Sequence, residues 1–426
     1  MDISMVAFYL FGIASTIYVV HFGIYLVGAN LYDIWQSRRK HQPGAADYSP
    51  AVTILISAHN EELVIERTLQ SISQTTHSPL QVIVIDDAST DRTAAIVRKY
   101  KQRHQELNLR LVQRRKNGGK GRALNYALKY YATGELIMTL DADSIITSDT
   151  VSRAARYFKD PNVVGIAANV QIMDNFTVLG MLQKFEHMIS YRSKKIYSLL
   201  NCEFVIGGVA STYRMRTLRE VGFYDTDTVT EDIGLSMKVI NQGNKQNRIV
   251  YAADVAAKTE GVTAFKSLVK QRYRWKYGSM QNLIKYRHLI GSQDPRFTTT
   301  LTLYRMPLAV LCEVFLLATP LLWVYAFYIV VSQESLALFI GAYLTITAYT
   351  YITIWFDEHT RFTEKFLLSL YAPLAYFMFY VMDVVQICAI VRCAYNSRKL
   401  LGQIDIGSTW QSPERIGALT QRPEQS

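Results

Sequence analysis

A chain of 426 residues is long enough for one sizeable soluble domain, which usually takes about 100 to 200 residues, with a membrane region beside it. Half of the residues are hydrophobic, but the first 30 and the stretch from Arg305 to Cys393 are far more apolar than the middle, which argues against a wholly soluble layout. The net charge of +11 does not select nucleic acid, because cations flank the apolar segments, Arg38, Arg39 and Lys40 after the first and Arg392, Arg398 and Lys399 after the last, as in cytosolic loops at a membrane.

Met5 to Val27 is an uncharged apolar run of bilayer length, for which about 20 residues are needed. No basic residue precedes it and it lacks a small-residue cleavage pattern, so a retained transmembrane helix over 1–30 is expected rather than a signal peptide, followed by a linker over 31–50. The positive-inside rule then places the next domain in the cytosol. From 51 to 260 the pattern is α/β, with β-branched runs Val52 to Ile56, Val82 to Ile85 and Leu136 to Leu140 separated by helix-like segments. That alternation predicts a parallel, Rossmann-like sheet covered by helices, with ligands beyond the carboxyl ends of the strands.

Those ends carry acids. Asp86 and Asp87 close one apolar strand and need partners, which nucleoside hydroxyls or a base edge would supply; Ser89, Thr90 and Asp91 after them suit a helix N-cap equally well. The glycine-rich Asn117 to Asn125 follows, where backbone can approach a phosphate and Lys120 or Arg122 can pair with it. Asp141 and Asp143 close a later strand, and in an extended segment side chains at i and i+2 point the same way. The pair is therefore expected to share Mg2+ or Mn2+ and, through it, a diphosphate. In Thr230-Glu231-Asp232 two readings stand level: Thr230 capping a helix with acids in its first turn, or Asp232 acting as a general base beside Glu231.

Residues 261–303 read as amphipathic interface helices. Lys266, Lys270, Arg272, Arg274 and Lys276 alternate with Leu268, Tyr273, Trp275 and Tyr277, a mixture suited to membrane lipids rather than nucleic acid. Within it, Gln271, Arg274 and Trp275 suit either a membrane anchor or a site where the indole stacks on a sugar and Arg274 reaches a diphosphate. Over 304–393 come three membrane-scale segments, Met306 to Val331, Leu336 to Phe356 and Phe366 to Val391, the last expected to be re-entrant or interfacial because Pro373 interrupts it and Asp383 lies within it. Glu313 and Asp383 lie inside them, where ionisable groups line a polar path or pair between helices. The tail, 394–426, carries Trp410, Ser412 and Arg415, suited to close over a nucleotide from the cytosolic side. The four cysteines show no zinc spacing and suit a reduced compartment.

Taken in order, the aspartate pair, the Asp-x-Asp, Thr-Glu-Asp and Gln-x-x-Arg-Trp elements resemble the processive family 2 inverting glycosyltransferases, the synthases of cellulose, hyaluronan, chitin and poly-N-acetylglucosamine. The tail Trp410-Gln411-Ser412-Pro413-Glu414-Arg415 is most similar to the bacterial poly-β-1,6-N-acetylglucosamine branch, whereas Ala167 to Ile172 departs from that family's Gly-Asn-Pro-Arg and leaves sugar and linkage open. The resemblance implies a GT-A catalytic domain set between transmembrane helices. It implies nucleotide-sugar contacts at His59, Glu61, Asp86, Asp87, Lys120, Asp141, Arg274, Trp410 and Arg415, and metal at Asp141 and Asp143. Acceptor contacts fall on Gly207, Gly208, Gln271 and Trp275, and catalysis on Asp232 with Glu231.

The implied partners are a UDP-sugar, a polysaccharide acceptor and membrane lipids, with an accessory small membrane subunit left open. The implied reaction is a single inverting displacement in the plasma membrane, N-acetylglucosamine being the expected sugar. A non-processive transferase acting on a lipid carrier and an inactive nucleotide-sugar scaffold are the alternatives. UDP release by purified protein separates the scaffold from both enzymes.

Overall fold

The computed structural model describes residues 3–40, 48–173, 177–332, 336–357 and 360–396. Helix α1 (Ile3–Lys40) leads into strand β1 (Val52–Ala58), α2 (Ile65–Ser73), β2 (Leu80–Asp86), α3 (Thr93–Arg103), β3 (Leu109–Gln113), α4 (Lys120–Tyr130) and β4 (Leu136–Asp141). After these come β5 (Ile145–Ile146), α5 (Thr150–Tyr157), β6 (Val163–Ile172), α6 (Val178–Leu199), β7 (Ser211–Arg214), α7 (Met215–Glu220), α8 (Glu231–Asn241) and β8 (Arg248–Thr259). The chain continues as α9 (Phe265–Lys285), α10 (Met306–Ser332), α11 (Leu336–Trp355) and α12 (Phe362–Tyr395). Tail candidates Trp410, Ser412 and Arg415 lie outside the described residues.

The strands form one eight-stranded sheet in the order β3-β2-β1-β4-β7-β6-β8-β5. Alternate residues of the apolar runs feed two cores. Ile54, Ile56, Val84 and Leu140 face one layer, while Leu55, Ile83, Ile85 and Ile137 face the other. The first four strands are parallel, as expected, but β7 runs antiparallel to both β4 and β6. Only four residues long and mostly polar, β7 has too short a period to be read from sequence.

Residues 31–40, expected as linker, instead continue α1 as helix onto the α/β domain. Tyr32 is fully buried and donates to the Tyr251 carbonyl at 2.5 Å, and Asp33 pairs with Lys195 at 2.5 Å. Gly28 allows the close approach, since a methyl there would come within 2.4 Å of Ile196. Among the described residues, two helices, Thr300–Ser332 and Phe362–Tyr395, are long and apolar enough to cross a membrane. Leu321, Val324 and Phe327 are 75%, 69% and 71% exposed, an apolar surface that water would penalise and lipid would not. Contrary to the expected break, α12 runs unbroken through Pro373. A proline removes one helical hydrogen bond, and packing of α12 on α9 and α11 holds its line.

Glu313 does not stand alone in α10: both its oxygens accept from Lys276 Nζ at 2.8 Å, tying α10 to α9. The pairing reading of this acid is therefore the one observed. Glu313→Ala is expected to lower thermal stability in detergent by about 1 to 3 kcal/mol, the cost of leaving a largely buried charged donor unmet. The double variant Lys276→Met/Glu313→Met should recover most of that loss, because an apolar pair of similar size needs no partner. Equal melting of both variants would sink the argument.

Candidate active site

Loops from the carboxyl ends of β1, β2 and β4 meet over one edge of the sheet. The loop after β1 is laced to the loop after β2: Asn60 N–H donates to Ser89 Oγ at 3.0 Å, Thr90 N–H to Asn60 Oδ1 at 2.8 Å and Glu61 N–H to Thr93 Oγ1 at 2.9 Å. Asn60 and Ala88 hold φ of 57° and 61°, a left-handed backbone that non-glycine residues adopt at a cost and that clusters at functional sites. Asp91 accepts from Thr93 N–H and Glu62 N–H, so it caps and ties the loop, the local role its sequence allowed.

The adjacent acids Asp86 and Asp87 separate. Asp86 is buried and turned inward, accepting from Ser89 N–H at 2.9 Å and Gln113 Nε2 at 3.1 Å, so it does not line the groove and the expected nucleotide contact is not where the structure places it. Successive strand side chains point to opposite faces, which is the reason. Asp87 does line the groove. It accepts from Arg114 at 2.6 Å and from Gly118 N–H and Gly119 N–H at 3.1 and 2.8 Å, clamping the glycine-rich loop. Gly119 has φ +83° there, which its missing side chain permits.

A groove of about 930 Å³ gathers His59, Glu61, Asp87, Lys120, Asp141 and Asp143 with Gly207, Gly208, Glu231 and Asp232, and reaches Gln271, Arg274 and Trp275 on α9. Lys120 is its hub, 2.6 Å from Asp141 Oδ1 and 3.4 Å from Glu231 Oε1. Burial alone would pull its ammonium down, but Asp141, Glu231 and Asp232 outweigh that and raise it above the ordinary lysine value. Asp232 stands at the opening turn of α8. Burial, then Glu231, pushes its carboxyl up to about 6, against the pull of Lys120 and Arg274. Thr230 occupies the N-cap position of α8 with Glu231 and Asp232 in the first turn, as the capping reading has it, but its side chain makes no capping hydrogen bond.

Asp141 and Asp143 are not the extended i, i+2 pair expected. β4 ends at Asp141, and a turn follows in which Ser144 N–H donates to the Asp141 carbonyl at 3.1 Å. Asp143 is buried at the groove floor, where Thr259 Oγ1 donates to Oδ1 at 3.3 Å. Among the described residues no three His, Cys, Asp or Glu form a metal cage. Two hard carboxylates at the floor still fit Mg2+ or Mn2+, which such sites hold through one or two carboxylates plus phosphate oxygens.

On α9, Arg272 is buried against Glu186 and stacks at 4.2 Å on the Trp275 ring, which is 36% exposed toward the groove. The amphipathic segment is thus a groove wall rather than a membrane-surface helix. A second wall was not anticipated: α6 presents Gln183, His187, Ser190, Tyr191 and Lys194 along one face. Their spacing of four, three, one and three residues is a helical stripe, legible by periodicity but carrying no known motif. Burial lowers the affinity of His187 for a proton and keeps it neutral beside Trp275, 6.5 Å between centroids. Gln386, Arg392 and Asn396 of α12 also line the groove, whereas Asp383 does not.

Comparison with known proteins decides what this arrangement belongs to. The profile described as glycosyl transferase family 2 matches residues 53–222. Residues 53–222 are a family 2 glycosyltransferase domain. Over 315 residues the chain is 29% identical to the poly-beta-1,6-N-acetyl-D-glucosamine synthase of Staphylococcus aureus (strain COL), covering 72% of each protein. Over 238 residues it is 30% identical to the synthase of the same name from Staphylococcus epidermidis, covering 55% of this chain and 56% of that one. A mannosyltransferase from Pyrobaculum calidifontis, solved in complex with GDP-Man and Mn2+, superposes with a TM-score of 0.58 at 23% identity, over 91% of this chain and 99% of that one. This glycosyltransferase thus shares the GT-A fold.

In this glycosyltransferase the two glycines of the 205–209 loop differ. A methyl on Gly207 would meet nothing within 4 Å, but on Gly208 it would come within 2.6 Å of Lys120 Nζ and 3.6 Å of Asp232 Oδ2. Gly208→Ala is expected to push Lys120 off Asp141 and lower kcat about tenfold or more, as misplacement of charged groups by an ångström does, with little loss of stability. Gly207→Ala should be near neutral in the same UDP-release and melting assays, and equal effects would refute the distinction.

Proposed function

We propose that the protein is a membrane-embedded, inverting polysaccharide synthase that transfers N-acetylglucosamine from UDP-N-acetylglucosamine to a growing chain. The observation that carries this reading is the meeting, in one groove, of a half-buried Asp232 with the Asp141 and Asp143 floor and the Gln271, Arg274 and Trp275 wall. Asp232 accepts the proton of the acceptor hydroxyl, the freed oxygen forms the bond to the anomeric carbon, and the bond to the diphosphate oxygen breaks, releasing UDP. Lys120 and Arg274 supply fixed positive charge on the donor side, where the leaving diphosphate gains negative charge. A divalent cation held by Asp141 and Asp143 would neutralise part of that charge. His59, Glu61 and Asp87 form the nucleoside end, the Trp275 indole stacks on the acceptor sugar, and Gly207 and Gly208 leave room for it.

The continuation of the groove to Gln386 and Asn396 of α12 supports a processive enzyme, since a chain leaving Asp232 meets polar groups on a membrane-length helix. The exposed apolar surfaces of α10 and α12, and the cations that follow the first and last apolar segments in the sequence, support a multi-pass protein with its catalytic domain in the cytosol. Incubation with UDP-N-acetylglucosamine and with UDP-glucose, followed by linkage-specific hydrolases, tests the proposal. Polymer from the first donor alone, cut by a β-1,6-specific hydrolase, is expected. Transfer of a single sugar to a lipid carrier would replace the synthase with a non-processive enzyme.

A further inference from the structure

Behind the groove, α9 grips the turn that opens α8 through two consecutive amides. Gln281 Oε1 accepts from Val229 N–H at 3.0 Å, and Asn282 Nδ2 donates to the Thr230 carbonyl at 3.2 Å and to Thr230 Oγ1 at 3.1 Å. Asn282 is fully buried, and Nδ2 also donates to the Gly278 carbonyl at 3.0 Å, which holds its rotamer. Two glycines let the helices come this close. A methyl on Gly278 would lie 2.4 Å from Thr230 Oγ1, and one on Gly234 would lie 3.1 Å from Asn282 Oδ1. Arg274, Gly278 and Asn282 stand four residues apart, so one face of α9 carries the guanidinium at the groove, then the point of closest approach, then the amide.

We propose that Asn282 is a positioning residue for glycosyl transfer, the clasp that sets the Thr230-Glu231-Asp232 turn, and with it the Asp232 carboxylate, against the Arg274 face of α9. The inference rests on Asp232 being the base. The clasp accounts for a threonine at the N-cap of α8 whose side chain makes no capping bond: its hydroxyl is committed to α9, and its carbonyl is shared between Asn282 and the first helical bond, from Gly234 N–H at 3.1 Å. Apart from Arg274 on α9 itself, the donor-side groups stand on other elements, Asp87 after β2, Lys120 on α4 and Asp141 on β4, so loosening the clasp disturbs proton removal while leaving nucleotide binding largely in place.

The test uses the full-length protein in detergent or lipid, with kcat, KM for the UDP-sugar, UDP affinity and melting temperature measured for each variant. Asn282→Leu, close in size but unable to donate, is expected to lower kcat about 10- to 100-fold, the range for an ångström of misplacement, with KM and UDP affinity within about threefold. Thr230→Val, which removes only the hydroxyl acceptor, should show the same pattern more weakly and serves if Asn282→Leu does not fold. In combination with Asp232→Asn, either change should cost little beyond the Asp232 variant alone, because a residue acting through another is not additive with it. A wild-type kcat at lowered melting temperature, or full additivity with Asp232→Asn, overturns the clasp. An active Asp232→Asn overturns the base assignment instead, so the two failures are read on separate variants.

Discussion

Asp232→Asn is expected to bind UDP with near wild-type affinity and to lose turnover by about 100- to 10,000-fold, the usual cost of removing a general base. The amide keeps the shape of the carboxylate and can still accept the Ile233 N–H that Asp232 Oδ1 accepts at 2.8 Å, but it cannot take a proton from a sugar hydroxyl. The loss should not come from unfolding. Burial first, then Glu231, lifts the Asp232 carboxyl to about 6, so the folded protein disfavours its ionised form. The stabilisation gained by holding a proton there is present at low pH and fades as pH rises through about 6. At pH 7 the neutral amide should therefore melt no lower than wild type. In the wild type, kcat should fall as pH drops through about 6, where the base becomes protonated, and the residual activity of the variant should lack that limb. Near-normal UDP release by Asp232→Asn would remove it from the chemistry, and a pH limb unchanged in the variant would assign the limb to another group.

Asp143→Asn is expected to weaken metal-dependent UDP binding by at least about tenfold, the lower end of what even outer-shell partners of a metal cost when removed. Asp143 sits at the groove floor, and an asparagine oxygen can still accept from Thr259 Oγ1, so the turn after β4 should hold. What disappears is one of the two hard, charged oxygens facing a diphosphate. Titrating Mn2+ against UDP affinity separates the effects: a flattened metal dependence with unchanged metal-free binding is expected. If the variant kept the full dependence on Mn2+, the pair would be a feature of the turn, with no part in holding a cation.

The strands and their charged ends were legible from residue order. The runs Val82 to Ile85 and Leu136 to Leu140, ending in Asp86 and Asp87 or in Asp141, can only be buried strands with their acids at the rim, because a charge inside the sheet would go unpaired. The motif residues follow from the same logic, since each lies where an apolar period stops. Tertiary structure alone decided which of two adjacent acids faces the groove, turning Asp86 to Ser89 and Gln113 and Asp87 to the glycine loop. It also turned the Thr230 hydroxyl away from the first turn of α8 to Asn282, 52 residues away. The pairing of Glu313 with Lys276, the antiparallel placement of β7 and the α6 wall were likewise fixed by contacts between distant segments. Period and composition report what a residue avoids, water or burial, and that is a local property; which partner satisfies it depends on packing of the whole chain, which no local pattern encodes.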